Sequence, residues 1–194
     1  AISLKRAACL FGGTFAAGRY GSVSLAAEDE TTTTLPAVSG HNGKIEIGGG
    51  WADVDKCNSD EVCRGGAALS VPVGDMFGIQ ADLTVTDVFG DTTVGGAGHF
   101  FTRDPNSYLL GVYGGYVDAG PANVWHIGPE AELYLGNVSI EAVGGYMDIS
   151  NGGGSEFYAV GNLALYATDN LRLSVGASSV ANFESANIGL EWFM

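Results

Sequence analysis

Residues 123–149, NVWHIGPEAELYLGNVSIEAVGGYMDI, decide the fold. Apolar or small residues alternate with polar ones in the first half, where Ile127, Pro129, Ala131, Leu133 and Leu135 oppose His126, Gly128, Glu130, Glu132 and Tyr134. Such alternation is typical of a strand with two different faces. Gly136-Asn137 then forms a tight turn, and a second alternating segment follows it. The stretch therefore predicts an antiparallel hairpin with one apolar and one polar face.

The same pattern runs from residue 43 to residue 194. The 31 glycines and the short runs of Val, Leu, Ile, Tyr and Thr favour strands joined by turns. No apolar run approaches the roughly 18 residues of a membrane helix, which excludes a helical membrane protein. Strands are predicted near 43–54, 64–73, 77–88, 92–103, 107–118, 123–135, 138–149, 156–167, 170–181 and 185–194. This makes about ten strands, or eight if the glycine-rich first hairpin does not form.

The amino-terminal residues are typical of an export signal. Lys5 and Arg6 precede a small, apolar segment, and Ser24-Leu25-Ala26 supplies a cleavage site. The net charge of −14 makes a phosphate polymer a poor partner, so nucleic-acid binding is not expected. The predicted division is a signal peptide at 1–26, a flexible periplasmic lead-in at 27–42 and a barrel domain at 43–194.

A polar loop, DVDKCNSDE at residues 53–61, concentrates acidic residues and contains a cysteine. Cys57 and Cys63 predict a disulfide in an oxidising compartment, and a two-cysteine metal site is the alternative. Asp53, Asp55 and Asp60 are weak candidates for calcium ligands, because the loop lacks the spacing of an EF-hand. A solvated loop tied by the disulfide is the favoured interpretation.

A repeat of Gly-Gly-aromatic-x-Asp occurs at residues 49–53, 114–118 and 144–148. Each copy ends an odd-numbered strand, so all three lie at one rim. The aromatic residues fall on the apolar face, as in the aromatic girdles of a transmembrane barrel. The predicted girdles contain Trp51, Tyr116 and Tyr146 at one rim and Phe77, Phe100, Tyr108 and Trp192 at the other.

The connections also differ between the two rims. Those after even-numbered strands are tight, and those after odd-numbered strands are generally longer. Short turns on one side and longer loops on the other are typical of periplasmic and extracellular ends. The pattern therefore predicts a closed, antiparallel, up-and-down transmembrane β-barrel with its apolar face outward.

The last strand places Ile188, Leu190, Trp192 and Met194 on one face, and residues 111–116 read GVYGGY. In these features residues 43–194 resemble the small porin-like or opacity-like outer-membrane proteins of Gram-negative bacteria. The resemblance implies a bacterial outer-membrane location, with membrane lipid and the barrel-assembly machinery as partners and no cofactor. In that family barrels serve as small pores, adhesins or envelope anchors, so membership implies location more than activity.

The polar face should line the lumen of the barrel and carry a charge network of Glu46, Asp82, Arg103, Glu130, Glu132, Glu141, Arg172 and Glu191. A network that bridges strands inside a narrow barrel is the favoured interpretation. A small passive pore that favours cations is the alternative, and small solutes are then its partners. His99 and His126 have no serine nearby in register, so no catalytic residues and no enzyme are predicted.

Two other functions remain open at this stage. A surface adhesin or receptor would act through loops near 57–63, 87–92, 118–123, 150–155 and 182–185. A soluble, secreted ligand-binding barrel would place Trp51, Tyr116 and Tyr146 inside. The main expectation is an integral outer-membrane protein that is a small passive pore or a structural envelope protein.

Overall fold

The computed structural model describes residues 36–52, 60–88, 91–118, 120, 122–151, 154–168, 170–180 and 183–192. The described chain is all-β and contains ten strands. They are β1 (Asn42–Ala52), β2 (Asp60–Val73), β3 (Phe77–Val88), β4 (Asp91–Asp104), β5 (Tyr108–Asp118), β6 (Asn123–Leu135), β7 (Val138–Ile149), β8 (Gly154–Thr168), β9 (Leu171–Val180) and β10 (Phe183–Trp192). The ten-strand prediction is confirmed, and the first hairpin, on which the eight-strand alternative depended, is formed by β1 and β2.

All ten strands belong to one antiparallel, up-and-down sheet, in which each strand pairs with the next along the chain. Among the described residues no ladder joins β1 to β10, so the sheet is a curled, open half-barrel. The closed barrel predicted from the sequence is thus not what the sheet shows. Alternation and turn chemistry specify pairing between neighbouring strands, whereas closure would pair the first strand with the last, which no local pattern encodes.

The two faces of the sheet have opposite composition. The face that we call convex exposes large apolar side chains, among them Ile45, Ile47, Leu83, Val112, Ile127, Leu133, Leu163 and Val175. The face that we call concave buries polar and charged ones, including Thr86, His99, Glu130, Glu141 and Arg172. This is the reverse of a soluble barrel, which buries its apolar face. No helix among the described residues has the length and apolarity needed to cross a bilayer.

An apolar cluster fills the concave side near the rim that carries the loops after odd-numbered strands, which we call the loop rim. It consists of Tyr113, Val117, Val124, Met147, Ile149, Tyr158 and Val180, contributed by five consecutive strands, β5 to β9. Val124 and Met147 are completely buried there. The cluster belongs to the strands themselves, so it is a permanent part of the sheet. We call the opposite rim, with the tight turns, the turn rim.

The Gly-Gly-aromatic-x-Asp repeat has a simple structural meaning in its second and third copies. The x residues, Val117 and Met147, are buried in the apolar cluster, while the aspartates that follow them are exposed. The second glycine of each copy lies on the concave face beside a large side chain. A Cβ atom at Gly115 would lie 2.6 Å from the ring of His126, and one at Gly145 would lie 2.7 Å from the hydroxyl of Tyr158. Glycine is therefore what makes room for these two interior rings.

The residues just before β1 pack onto the concave side at the turn rim. The Ala37 amide donates a hydrogen bond of 3.0 Å to the Asp75 carbonyl in the turn between β2 and β3. Ala37 and Val38 are buried, and Val38 lies beside Phe101 above Gly78. The predicted lead-in thus has a structured end, and its last residue, Asn42, begins β1. Its first part and the predicted signal peptide lie outside the described residues.

Candidate functional site

The candidate site is the polar cluster on the concave face, and His99 of β4 lies at its centre. The His99 Nε2 atom is 3.0 Å from Oδ2 of Asp82 on β3. Its Nδ1 atom is 2.8 Å from Oε2 of Glu130 on β6. Two carboxylates that face the two ring nitrogens suit a doubly protonated imidazolium, which donates from both positions. The hydrogen bond at Nδ1 and the ion-pair contact at Nε2 hold the ring between its neighbours.

A chain of hydrogen bonds extends this triad to β2. The Gln80 Nε2 atom donates to Asp82 Oδ1 at 2.9 Å, and Ser70 Oγ donates to Gln80 Oε1 at 2.7 Å. The amide of Gln80 therefore links a hydroxyl to a carboxylate. Together with the triad, these bonds connect β2, β3, β4 and β6 through side chains alone. Side-chain hydrogen bonds that link several strands in this way stiffen a polar interior.

A layer of rings joins the triad to the apolar cluster, of which Tyr113 and Tyr158 are members. Tyr113 stacks on His99 with a centroid distance of 5.4 Å and an interplanar angle of 13°. His126 lies at 5.4 Å from the same tyrosine. Tyr158 meets both Tyr113 and His126 edge-on, and the hydroxyl of Tyr113 donates to that of Tyr158. The rings thus join β5 to β8 across the concave side.

Two further polar contacts lie nearer the turn rim. Arg172 Nη2 is 2.7 Å from Glu141 Oε1, and both side chains are buried. Tyr134 donates to Glu132 Oε2 at 2.6 Å, while the guanidinium of Arg103 lies 5.3 Å from the centre of the Tyr134 ring. A cation over an aromatic face is attracted by the ring quadrupole. All five side chains were predicted on the polar face. Tyr134 was not predicted to belong to the charge network.

The cations of the concave face are more numerous than the sequence prediction allowed. The strand register places Lys44 opposite Ala68 and so in line with Asp82, and it places Arg64 opposite the buried Thr86. Only Arg103 and Arg172 had been counted as available cations. Carboxylates outnumber cations in the predicted charge network, which would favour a cation pore. With Lys44 and Arg64 on the same face, this excess of negative charge is smaller. Glu46 and Glu191 lie in β1 and β10, but their side chains are outside the described part of the structure.

A small polar cavity of about 40 Å³ lies on the concave side toward the turn rim. Its walls include Ser70, Gln80, His99, Arg103, Glu130 and Tyr134. Since one water needs roughly 10–15 Å³ of such space, the cavity has room for about three waters.

The predicted girdle residues lie on the convex face wherever their side chains are described. Tyr116 packs against Trp125 at 4.7 Å and Tyr146 against Phe157 at 5.8 Å, all near the loop rim. Phe77 stacks on Phe100 at 5.3 Å near the turn rim, where Tyr108 and Trp192 are also exposed. Trp125 and Phe157 are not among the predicted girdle residues. Both face a predicted girdle residue in register, so counting outward from each loop would have found them. The side chain of Trp51 is not among those described.

The predicted disulfide and calcium site fall largely outside the described residues. Cys63 is exposed in β2, but Cys57 is not described, so the disulfide is not shown. Asp53 and Asp55 are likewise not described, and Asp60 is known only as the first residue of β2. Within the described ranges, no group of three or more His, Cys, Asp or Glu side chains could hold a metal ion.

The arrangement chiefly stabilises buried charge and ties non-neighbouring strands together. Each buried charge of the triad and of the Arg172 pair has an opposite charge within hydrogen-bond distance. Comparison of the chain with protein-family models, with curated proteins and with solved structures gave no match.

Proposed function

We propose that this chain is an integral protein of a bacterial outer membrane, in which the ten strands close into a barrel and the filled interior makes it a structural envelope protein. One observation carries the proposal: the convex face exposes large apolar side chains while the concave face buries charged ones. Each apolar side chain that is moved from water into lipid contributes about 1.5–3 kcal/mol. A bilayer is the solvent that suits both faces at once.

Lipid also supplies the reason for closure. β1 and β10 have partners on only one side, so each presents a row of backbone N–H and C=O groups. In a bilayer each unsatisfied group costs several kcal/mol, because no water is present to bind it. Pairing β1 with β10 removes both edges. The free energy that favours closure is thus much larger in lipid than in water.

The spacing of the aromatic residues on the convex face is compatible with the height of the apolar band of a transmembrane barrel. On β5, Tyr108 and Tyr116 lie near opposite rims, eight residues apart. At about 3.4 Å per residue this is roughly 27 Å along the strand, or about 20 Å along the membrane normal for a tilt near 40°. Transmembrane barrels carry an apolar band about 25 Å tall between two aromatic girdles. The spacing is compatible with crossing a thin outer membrane.

The interior favours a structural protein over a passive pore. The apolar cluster of β5 to β9 packs on the concave side near the loop rim, and ion pairs beside a cavity of about 40 Å³ lie nearer the turn rim. Conduction needs a continuous hydrated path, whereas the described interior side chains of these strands pack against one another. Buried side-chain bridges between β4 and β6 and between β7 and β9 instead stiffen the wall.

The first test is to express the chain in a Gram-negative host and to compare heated with unheated samples on a denaturing gel. A closed barrel has no edge from which to unfold, so we expect a heat-dependent mobility shift in the membrane fraction, resistant to alkaline extraction. Ile188→Pro should abolish the shift, because proline removes a ladder donor from β10, and Ile188→Val should keep it. A soluble monomer without a shift would instead favour the secreted ligand-binding barrel.

The second test measures conductance of the heat-modifiable protein in planar lipid bilayers. We expect no steady single-channel currents, since the interior is filled. Regular current steps from the same preparation would overturn the structural assignment and favour the passive pore. This measurement does not report on the adhesin function, because surface binding through the loops produces no current.

A further inference from the structure

A short segment ahead of β1, residues 36–40, lies on the concave side without joining the sheet. We call it the plug segment. Its Ala37 and Val38 are buried to 1% and 8% exposure, whereas Ser39 is exposed. The two buried residues are small and apolar, yet they lie at the rim where charged residues such as Arg103 and Glu132 gather.

The plug segment forms part of the wall of the polar cavity. Val38 is the one wall residue of that cavity which belongs to no strand. It contacts Phe101 of β4 above Gly78 of β3, where even a Cβ atom would lie 2.6 Å from Val38. The absence of a side chain at Gly78 thus creates the recess that receives it. The fit indicates a specific docking position.

The attachment is weak compared with that of a strand. Among described residues, the backbone hydrogen bond from Ala37 to Asp75 is the only one outside the strand ladders that holds the segment. A strand residue in the middle of the sheet is held by ladders on both sides. Local opening of such a segment requires far less free energy than global unfolding.

We propose that the plug segment is a displaceable seal, which leaves its recess while the sheet stays folded and thereby widens the access to the polar cavity from the turn-rim side. The Ala37 amide bonds to the turn before β3, and Val38 lies beside Phe101 of β4 above Gly78 of β3. None of these contacts involves β10, and the inference therefore does not depend on the pairing of β1 with β10.

The test uses the reactivity of a cysteine placed in the cavity wall. Ser70→Cys is introduced into the full chain with Cys9, Cys57 and Cys63 replaced by serine, and a small cationic methanethiosulfonate reagent is added. Ser70 is buried, so the parent should react slowly. Val38→Gly should raise the rate by about 10- to 100-fold, because it removes the apolar contact that holds the seal. Ser39→Gly is the matched control and should leave the rate within twofold of the parent.

Folding is checked on the same samples by the heat-dependent gel shift, which also reports separately on barrel closure. Equal rates in the parent and in Val38→Gly, with both folded, would overturn the seal. A parent that already reacts as fast as the urea-unfolded chain would overturn it too. If Val38→Gly does not fold, native-state hydrogen exchange decides. The Ala37 amide should exchange much faster than that of Ile79 in β3, and equal protection would mean that the segment opens only with the whole sheet.

Discussion

Arg172 and Glu141 form a buried ion pair between strands that are not neighbours. Arg172 Nη2 lies 2.7 Å from Glu141 Oε1, and the two side chains are 1% and 4% exposed. Arg172 is on β9 and Glu141 on β7, so the contact reaches across β8. Only a curled sheet brings these positions together. The pair therefore ties the curvature of the sheet to the charge balance of its interior.

Removing one member of this pair should be strongly destabilising. Arg172→Met leaves the Glu141 carboxylate buried without its partner, and we expect a loss of about 3–5 kcal/mol in the free energy of unfolding. The double variant Arg172→Met, Glu141→Leu should recover most of the loss, because no buried charge remains. Urea titration of protein folded in detergent micelles measures both. Arg103→Met, at a less buried arginine, is the control and should cost less. A loss below about 1 kcal/mol for Arg172→Met would contradict the role of the pair.

Replacing His99 should be more harmful than neutralising all three members of its triad. His99→Phe leaves the half-buried Asp82 and the buried Glu130 near each other without the cation between them, and we expect a loss of about 3 kcal/mol or more. Adding Asp82→Asn and Glu130→Gln to His99→Phe should restore part of the stability. The same urea titration serves, with a full double-mutant cycle to isolate the coupling. Additive losses across the cycle would show that the contacts are not coupled.

Gly145 should tolerate no side chain. A Cβ atom there would meet the Ile127 carbonyl oxygen and lie 2.7 Å from the Cα of Gly128, both of them backbone atoms that cannot rotate away. We expect Gly145→Ala to cost about 3 kcal/mol or to prevent folding. Gly98→Ala is the matched control, since nothing lies within 4 Å of its added carbon. Similar urea midpoints for the two variants would show that the sheet at Gly145 is less tightly coiled than described.

A charged residue in the middle of the convex face should show whether that face contacts lipid or water. Val112 is 56% exposed near the centre of β5. In phospholipid vesicles Val112→Lys should lower the free energy of unfolding by about 2–4 kcal/mol, as lysine at the bilayer midplane does. Leu135→Lys, at the turn-rim end of β6, should cost at most about 1 kcal/mol. Equal and small effects at the two positions would place the convex face in water.

Trp125 and Trp192, the two tryptophans whose side chains are described, should lie at the two membrane interfaces. Trp125 near the loop rim and Trp192 near the turn rim are 63% and 65% exposed. In single-tryptophan variants reconstituted into vesicles, bromine atoms near the headgroup end of the lipid chains should quench both more than bromines near the chain ends. Interfacial anchoring of tryptophan is the reason. Stronger quenching by the chain-end bromines would place the girdles at the wrong depth, and no quenching would argue against insertion.

Much of the fold could be predicted from local patterns. The ten strands begin and end within a few residues of the predicted limits, and β3, β6 and β7 match them at both ends. The reason is that period-two alternation and turn residues act over distances of a few positions. The faces followed from the same parity. The Gly-Gly-aromatic-x-Asp repeat could also be recognised in the sequence. That its second glycine makes room for the rings of His126 and Tyr158 is seen only in the tertiary structure.

The candidate site was predicted only as a list of charges. The sequence placed Asp82, Glu130, Glu141 and Arg172 on one face, because each is separated by an even number of positions from its strand neighbours on that face. It could not show that His99 bridges Asp82 and Glu130, since this pairing joins β3, β4 and β6. It also missed the contribution of Tyr113 and Tyr158, which meet across three strand spacings.

The amino-acid sequence by itself determined the strands, their order and the polarity of each face, because these depend on residue type and on a period of two along the chain. The tertiary structure alone decided which interior groups pair, that Val38 fills the recess over Gly78, and that β1 and β10 stay unpaired in the described sheet. These features depend on how strongly the sheet curls. Curvature is a sum of many small twists between strands, and no single stretch of sequence encodes it.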